Sequence, residues 1–330
     1  MRTLSYAIFV IFINLVKGLI INPRFHDNWH LVNPLNCGTQ PHLQAKINTE
    51  DSTLTDYVPL DQFRRDAKQG EYPWVVLISI QIRGTPEKKA VKYNCMGSII
   101  TKRFILTASS CFTVYPIEPR SVKIRVGSVD TVTDTSCDSE EKCSPDKAVY
   151  HAESVVLYNT NSPAEDGENI ALVKTSRDII FNDNVLPICL EHGELLEQDY
   201  AGEEGVRVSG WGTNSEDGNY YSKLQHAAVP VFTQEENEKV YNHLPSTFTG
   251  VETYESYFCA GGPAGESQLD NDVGGPFVLK RLVPEDGPAR YYLYGILSFK
   301  ASVYFPSHGS VDVYTKVRNY FEWILDHIDA

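Results

Sequence analysis

The sequence predicts an all-β chain, a sandwich or barrel, that ends in a single amphipathic helix. Short apolar or alternating runs recur from Gly70 onward, at residues 74–80, 98–100, 122–126, 205–209 and 291–298, with turn residues between them. Val122-Lys123-Ile124-Arg125-Val126 has the period of two that puts one face of a strand on a core. Helical periodicity is scarce until residues 315–328, where Val317, Phe321, Ile324 and Ile328 recur at three- and four-residue intervals beside Trp323. The 330 residues, 42% of them hydrophobic, suffice for one large all-β domain or two smaller ones.

At the amino end, Met1 and Arg2 precede an apolar run from Tyr6 to Ile13, closed by Asn14-Leu15-Val16-Lys17-Gly18. Val16 and Gly18 sit three and one positions before a break after Gly18, which predicts a secretory signal over residues 1–18. The run falls short of the ~20 apolar residues of a spanning helix, so export is expected rather than a membrane anchor. No comparable run follows, and the mature protein is expected to be soluble. Residues 19–60 are polar, carry Pro23, Pro34, Pro41, Pro59 and Cys37, and read as an extended arm. Residues 61–330 form the body. A net charge of -14 argues against a nucleic-acid partner and reads as a solvated surface. Seven cysteines in an exported chain imply disulfides with one thiol left over. Asn161-Ser162-Pro163 has the wrong spacing for Asn-linked glycosylation.

Eight short segments, taken in order, carry a resemblance to one known family. Gly70-Glu71-Tyr72-Pro73-Trp74 is similar to the start of the first barrel. Residues 94–100 followed by 104–111 resemble the cysteine-bracketed stretch that carries the family's histidine, and Asn169-Ile170-Ala171-Leu172-Val173-Lys174 the strand that carries its aspartate. Pro187-Ile188-Cys189-Leu190, Val208-Ser209-Gly210-Trp211-Gly212 and Phe258-Cys259-Ala260-Gly261-Gly262 are further landmarks. Asp272-Val273-Gly274-Gly275-Pro276 resembles the nucleophile loop, and Val313-Tyr314-Thr315-Lys316-Val317 the approach to the last helix. Together these segments resemble the chymotrypsin-type (S1) serine proteases; the resemblance covers residues 61–330 and implies two antiparallel six-stranded barrels with a cleft between them. The loop from Thr135-Ser136-Cys137 to Lys142-Cys143 is similar to one in the arthropod clip-domain branch, although the arm has only Cys37 where a clip module carries six cysteines.

Carried over residue by residue, the resemblance puts Ser110 where the base stands, Asn169 at the carboxylate and Val273 at the nucleophile. A triad needs a base within reach of the nucleophile and a carboxylate to orient that base. Losing base or nucleophile alone costs on the order of 10⁶ in turnover. The oxyanion glycine position, two before Val273, holds Asn271. The usual activation site is missing from Leu60-Asp61-Gln62-Phe63-Arg64-Arg65, although Asp272 remains to receive a new amino terminus. Arg64-Arg65 could be cut by another protease, but the reading favoured here is inert surface. Ser267 falls at the base of the former substrate pocket, and Lys300 and Asp312 replace wall glycines. Those two charges either pair across the cleft or lie solvated in a loosened loop.

The same resemblance implies the disulfides Cys95–Cys111, Cys137–Cys143 and Cys37–Cys189. Leu269 and Val303 or Tyr304 replace another family pair, and a residue near Asn237 replaces the partner of Cys259, leaving Cys259 free. The nine histidines show no zinc spacing. Acidic Asp130, Asp134, Asp138, Glu140 and Glu141 fall near a loop that binds calcium in some relatives, but Ser128 replaces an expected carboxylate, so no metal or cofactor is expected. The expected function is that of a secreted serine protease homologue without catalysis, with other proteins as partners: active proteases or zymogens of an extracellular cascade such as arthropod melanisation. A carbohydrate- or pathogen-surface binder, a venom or reproductive-fluid component, and a hydrolase with a displaced nucleophile are the alternatives.

Overall fold

The computed structural model describes residues 22–41, 65–82, 91–113, 117–130, 148–160, 167–211, 222–244, 253–262, 272–305 and 309–330. The expected signal over residues 1–18 and the expected Cys137–Cys143 loop lie outside these. The body opens with a two-residue strand, β1 (Arg65–Asp66). Six strands then close a barrel: β2 (Val75–Ile82), β3 (Val91–Ile99), β4 (Phe104–Thr107), β5 (Val122–Val126), β6 (Ala148–Leu157) and β7 (Ala171–Thr175). The order around it is β2-β3-β4-β7-β6-β5, and every neighbour is antiparallel. In β5 the alternation read from the sequence is the burial pattern: Val122, Ile124 and Val126 face inward, while Lys123 and Arg125 are half-buried.

The second half is one sheet built from β8 (Cys189–Leu190), β9 (Glu204–Ser209), β10 (Gln225–Pro230), β11 (Tyr257–Gly262), β12 (Pro276–Arg281), β13 (Arg290–Phe305) and β14 (Gly309–Lys316). Its order is β1-β10-β9-β12-β13-β14-β11, with β8 alongside β13. Together with the closed barrel it makes the expected two-part β architecture, the second part being a half-barrel sheet of eight strands. Among the described residues, the edges beyond β10 meet through the Val231–Ala260 bridge and the bond from Phe232 N–H to the Cys259 carbonyl (2.8 Å). The ladder stops there because Thr233 caps a helix, α1 (Gln234–Tyr241), through a reciprocal box with Glu236. Aromatic rings fill the interior, with Phe258 and Phe277 packed 5.2 and 5.1 Å from Tyr314.

The carboxyl-terminal helix is shorter than the periodicity implied. β14 runs through Lys316, Val317–Tyr320 form a 3₁₀ turn, and α2 covers Phe321–Asp326. Thr315 is claimed by the sheet, where it pairs with Ile296 and Tyr257. Val317, Phe321, Ile324 and Ile328 are nonetheless buried, as the pattern requires.

The described part of the arm holds two 3₁₀ turns, Pro23–Phe25 and Asp27–Leu31, where extended chain was expected. Asn28 donates to the carbonyls of Leu325 (2.8 Å) and Ile328 (3.0 Å). Asn33 exchanges two bonds of 2.7 Å with the backbone of Leu190. Gly38 has φ +61°, and a Cβ there would lie 2.1 Å from the Tyr291 carbonyl oxygen, so only glycine lets the arm approach β13 this closely.

At the seam between the halves, Arg65 stands opposite His226 and Asp66 opposite Gln225. The buried Tyr72 hydroxyl shares a hydrogen bond with His226 Nδ1. Burial pushes the His226 imidazole down to about 4, with the charges of Arg65 and Lys68 acting in the same direction and Glu71 opposing them. An unfolded histidine titrates near ~6.5, so between these values the unfolded chain binds the extra proton. Stability from this group is full above pH ~6.5 and declines as the pH falls toward about 4, by about 1.4 kcal/mol per pH unit. Urea unfolding at pH 7 and 4.5 should therefore show a smaller acid loss in His226→Gln than in the native chain, by ~2 kcal/mol. An equal loss in both would contradict the buried neutral imidazole.

Candidate functional site

The cleft between the halves is organised by Asn169, which precedes β7 and is fully buried. Its Oδ1 accepts from the Ser110 N–H (2.8 Å), and its Nδ2 donates to Ser110 Oγ (3.1 Å) and to Ser298 Oγ (2.7 Å). Ser110 opens a short helical turn, Ser110–Thr113, beyond β4, and Ser298 lies in β13. Tyr257 in β11 brings its hydroxyl 3.3 Å from Ser298 Oγ, and Thr315 Oγ1 donates to the Asn169 carbonyl (3.2 Å). The Asn169 carboxamide thus ties the first barrel to β13, while the backbone carbonyl of the same residue takes a bond from β14.

Val273 occupies the turn before β12 and is partly buried against the main core. The turn is strapped from both sides: Met96 N–H donates to the Val273 carbonyl (2.8 Å), and Gly274 N–H to the Leu297 carbonyl (2.9 Å). Gly274 has φ +87°, and a Cβ there would meet the Met96 carbonyl oxygen at 2.2 Å and Thr107 Oγ1 at 2.3 Å. Cys111 Sγ lies 3.9 Å from the Val273 carbonyl oxygen. Ser110 and Asn169 are thus in direct contact, and the Val273 carbonyl lies by Cys111, the next residue after Ser110. The set Ser110, Asn169, Ser298 and Tyr257 offers hydroxyls and an amide, none of which takes up a proton near neutral pH, and Val273 has no nucleophilic atom. Beside it the buried Asp272 accepts from the Gly210 N–H (2.8 Å).

The residues read as the former pocket are arranged differently from either expectation. Lys300 and Asp312 are cross-strand neighbours, but Lys300 is exposed and Asp312 is fully buried, its carboxylate 2.9 Å from Arg207 Nη1. The lysine stem carries its ammonium to water, and the aspartate turns to a guanidinium inside the sheet. Arg207 and Asp312 stand opposite Ala227 and Ala260 respectively, short side chains that leave room for the ion pair. Sequence reading missed Arg207. The available signal was a lone arginine in Gly205-Val206-Arg207-Val208-Ser209. Ser267 and Asn271 lie outside the described residues, as do the acidic residues from Asp134 to Glu141. Among the described residues, no three His, Cys, Asp or Glu side chains gather as metal ligands would.

Cys37 is bonded to Cys189 and Cys95 to Cys111. Cys259 is a free, fully buried thiol, and burial pushes its ionisation far above the usual thiol range. Its N–H donates to Asn237 Oδ1 (2.9 Å).

A closed β-barrel, a facing antiparallel sheet, a glycine-strapped turn between them and a terminal helix define a chymotrypsin-like scaffold. The family model described as Trypsin matches residues 62–324, and the chain belongs to that family. It is 29% identical over 301 residues to phenoloxidase-activating factor 1 of Holotrichia diomphalia, an alignment covering 89% of this chain and 73% of the relative. It is 29% identical over 295 residues to the proclotting enzyme of Tachypleus tridentatus, covering 87% and 70%. It is 28% identical over 267 residues to the CLIP domain-containing serine protease B10 of Anopheles gambiae, covering 78% and 67%.

Two substitutions test the site's energetics. Arg207→Leu should cost about 3–5 kcal/mol by leaving a buried carboxylate, and Arg207→Leu/Asp312→Leu should recover most of it. Asn169→Leu should cost about 2–4 kcal/mol, because the Ser110 N–H and the Ser298 hydroxyl lose their partner. Guanidinium unfolding of the four proteins reads both effects.

Proposed function

We propose that this chain is a secreted serine protease homologue that does not cleave peptide bonds and acts by binding other proteins. The observation that carries this reading is the occupancy of the base, carboxylate and nucleophile positions by Ser110, Asn169 and Val273. A valine cannot attack a carbonyl, and a serine cannot take the proton that an attacking group must lose. Asn271 at the oxyanion position would remove the other source of rate, the preorganised amides. Ser267 at the position of the family's pocket base, and Lys300 and Asp312 in place of its wall glycines, are further departures from a working substrate pocket. The two disulfides support an oxidising, extracellular location, and the proposed Cys137–Cys143 pair belongs to the same set.

The partners in this reading are active serine proteases or zymogens of an extracellular cascade. Support comes from the relatives' names, which include phenoloxidase-activating factor 1, proclotting enzyme and the Drosophila melanogaster melanization protease 1. The chain would serve there as a cofactor or competitor. Affinity capture from the extracellular fluid of the source animal tests this. Recovery of a protease or zymogen supports it, whereas elution by glycans alone favours a carbohydrate binder.

Two activity measurements follow. The purified protein should hydrolyse no peptide or ester substrate and take no fluorophosphonate label, and stoichiometric labelling would identify a displaced nucleophile. The triple variant Val273→Ser, Ser110→His, Asn169→Asp should stay far below an active protease, since a missing oxyanion donor alone costs ~3 kcal/mol. Robust turnover in it would remove the case against the oxyanion and pocket residues.

A further inference from the structure

Outside the cleft, a cavity of ≈ 340 Å³ opens where the arm meets the body. Its walls come from Asn22 and Arg24 of the arm, from the 3₁₀ turn that follows β8, and from the segment between β12 and β13. The volume is at the lower end of the range for small-molecule sites, which suits a slender ligand. Leu195, Leu282, Val283 and Pro284 supply its apolar surface. His192 also stands in the wall, although its side chain is only 2% exposed. Trp29 (5.7 Å) and Tyr292 (6.0 Å) pack edge-on against its ring, and its Nε2 lies 2.7 Å from Asp286 Oδ2. The Tyr292 hydroxyl donates to the same oxygen (2.5 Å). Burial pushes the Asp286 carboxyl up, but these two bonds and the nearby positive charge outweigh it and hold the group below its ordinary value. A carboxylate can only accept, so Nε2 carries the hydrogen and Nδ1 the lone pair. Burial, helped by the charge of Arg24, holds the imidazole pKa below its ordinary value despite Asp286, so the ring is neutral at neutral pH. Its Nδ1 has no partner among the described residues.

The charges around this nitrogen leave one sign unmatched. Arg24 pairs with Glu285 and lies 3.7 Å from Asp286 Oδ1, so the cation in the wall already has its counterions. Glu194 lines the cavity too, is exposed, and has no ion-pair partner among the described residues. An anion brought here would meet that carboxylate with no free cation to answer it. We propose that this cavity binds a primary ammonium on an unbranched alkyl stem, the group that ends a lysine side chain or a free alkylamine. Such an ammonium has three donors and no acceptor. His192 Nδ1, the Glu194 carboxylate and the Gln198 side-chain carbonyl offer it three acceptors, and its methylenes would lie on the apolar part of the wall. The bond from Cys37 to Cys189 keeps the arm, which supplies one wall, attached to the body. The cavity shares no residue with the cleft around Asn169.

The experiment is calorimetric titration of the full chain with pentylamine at neutral pH, beside pentanol and pentanoate as stems of the same length. The amine should bind with a dissociation constant on the order of millimolar, in keeping with its few heavy atoms. The alcohol and the carboxylate should bind at least about tenfold more weakly. No binding of the amine, or equal binding of either control, would overturn the proposal. Glu194→Lys changes an exposed residue and offers the cavity an ammonium of its own, so it should weaken pentylamine at least about tenfold. Unchanged affinity in the folded variant would overturn the proposal as well, and should the variant not fold, the three ligands on the native chain still decide. Nα-acetyl-lysine methylamide and its ε-acetylated form then separate the two sources. Binding of the first without the second supports a lysine side chain as the natural ligand, and binding of pentylamine alone supports a free amine. Equal binding of both lysine forms would show that the ammonium is not what the cavity recognises.

Discussion

The two halves of the molecule meet around a single buried carboxamide. Asn169 both donates and accepts, so it can hold a backbone N–H of the first barrel while giving its own hydrogens to hydroxyls on either side of the cleft. A carboxylate in the same place could only accept, and every hydroxyl around it would have to turn its hydrogen inward. With asparagine the cleft carries no formal charge at its centre and needs none to be satisfied. Buried polar networks are stable only when each member has its partner, and this one closes on itself through Ser110, Ser298, Tyr257 and Thr315.

Much of this was legible from the chain. The alternating run 122–126 reports β5 because one face of a strand must be greasy and the other wet. Gly274 and the Asp272–Pro276 segment mark the turn between the halves because the close approach of Met96 and Thr107 tolerates no Cβ. The end of the second sheet was less legible. Thr315 sits in a helical pattern of apolar residues, yet its hydrogen bonds are made across the sheet, and that competition is decided by partners far away in sequence. The docked 3₁₀ turns of the arm were hidden for a similar reason, since Asn28 and Asn33 find acceptors and donors only on the folded body.

The ion pair of Arg207 and Asp312 shows where local pattern reading ends. The resemblance put Lys300 and Asp312 in place of two wall glycines of one pocket, and the two do stand opposite each other on neighbouring strands. The choice between two cations was then settled by solvation. A lysine near the mouth of the sheet keeps its charge in water, whereas Arg207, facing short Ala227, has no route out and takes the buried carboxylate as its counterion. No spacing rule links positions so far apart in the chain.

The bond from Cys37 to Cys189 has a consequence that concerns competition rather than structure. It fastens the arm beside Leu190, Tyr291 and the last helix whatever happens to the chain between residues 41 and 65. A tethered segment is present at its own docking face at an effective concentration on the order of millimolar, independent of how dilute the protein is. A partner seeking that face must compete with a neighbour that never diffuses away. It would succeed only at comparable local concentration or with correspondingly tighter binding, which leaves the opposite surfaces of the molecule as the cheaper places for encounter.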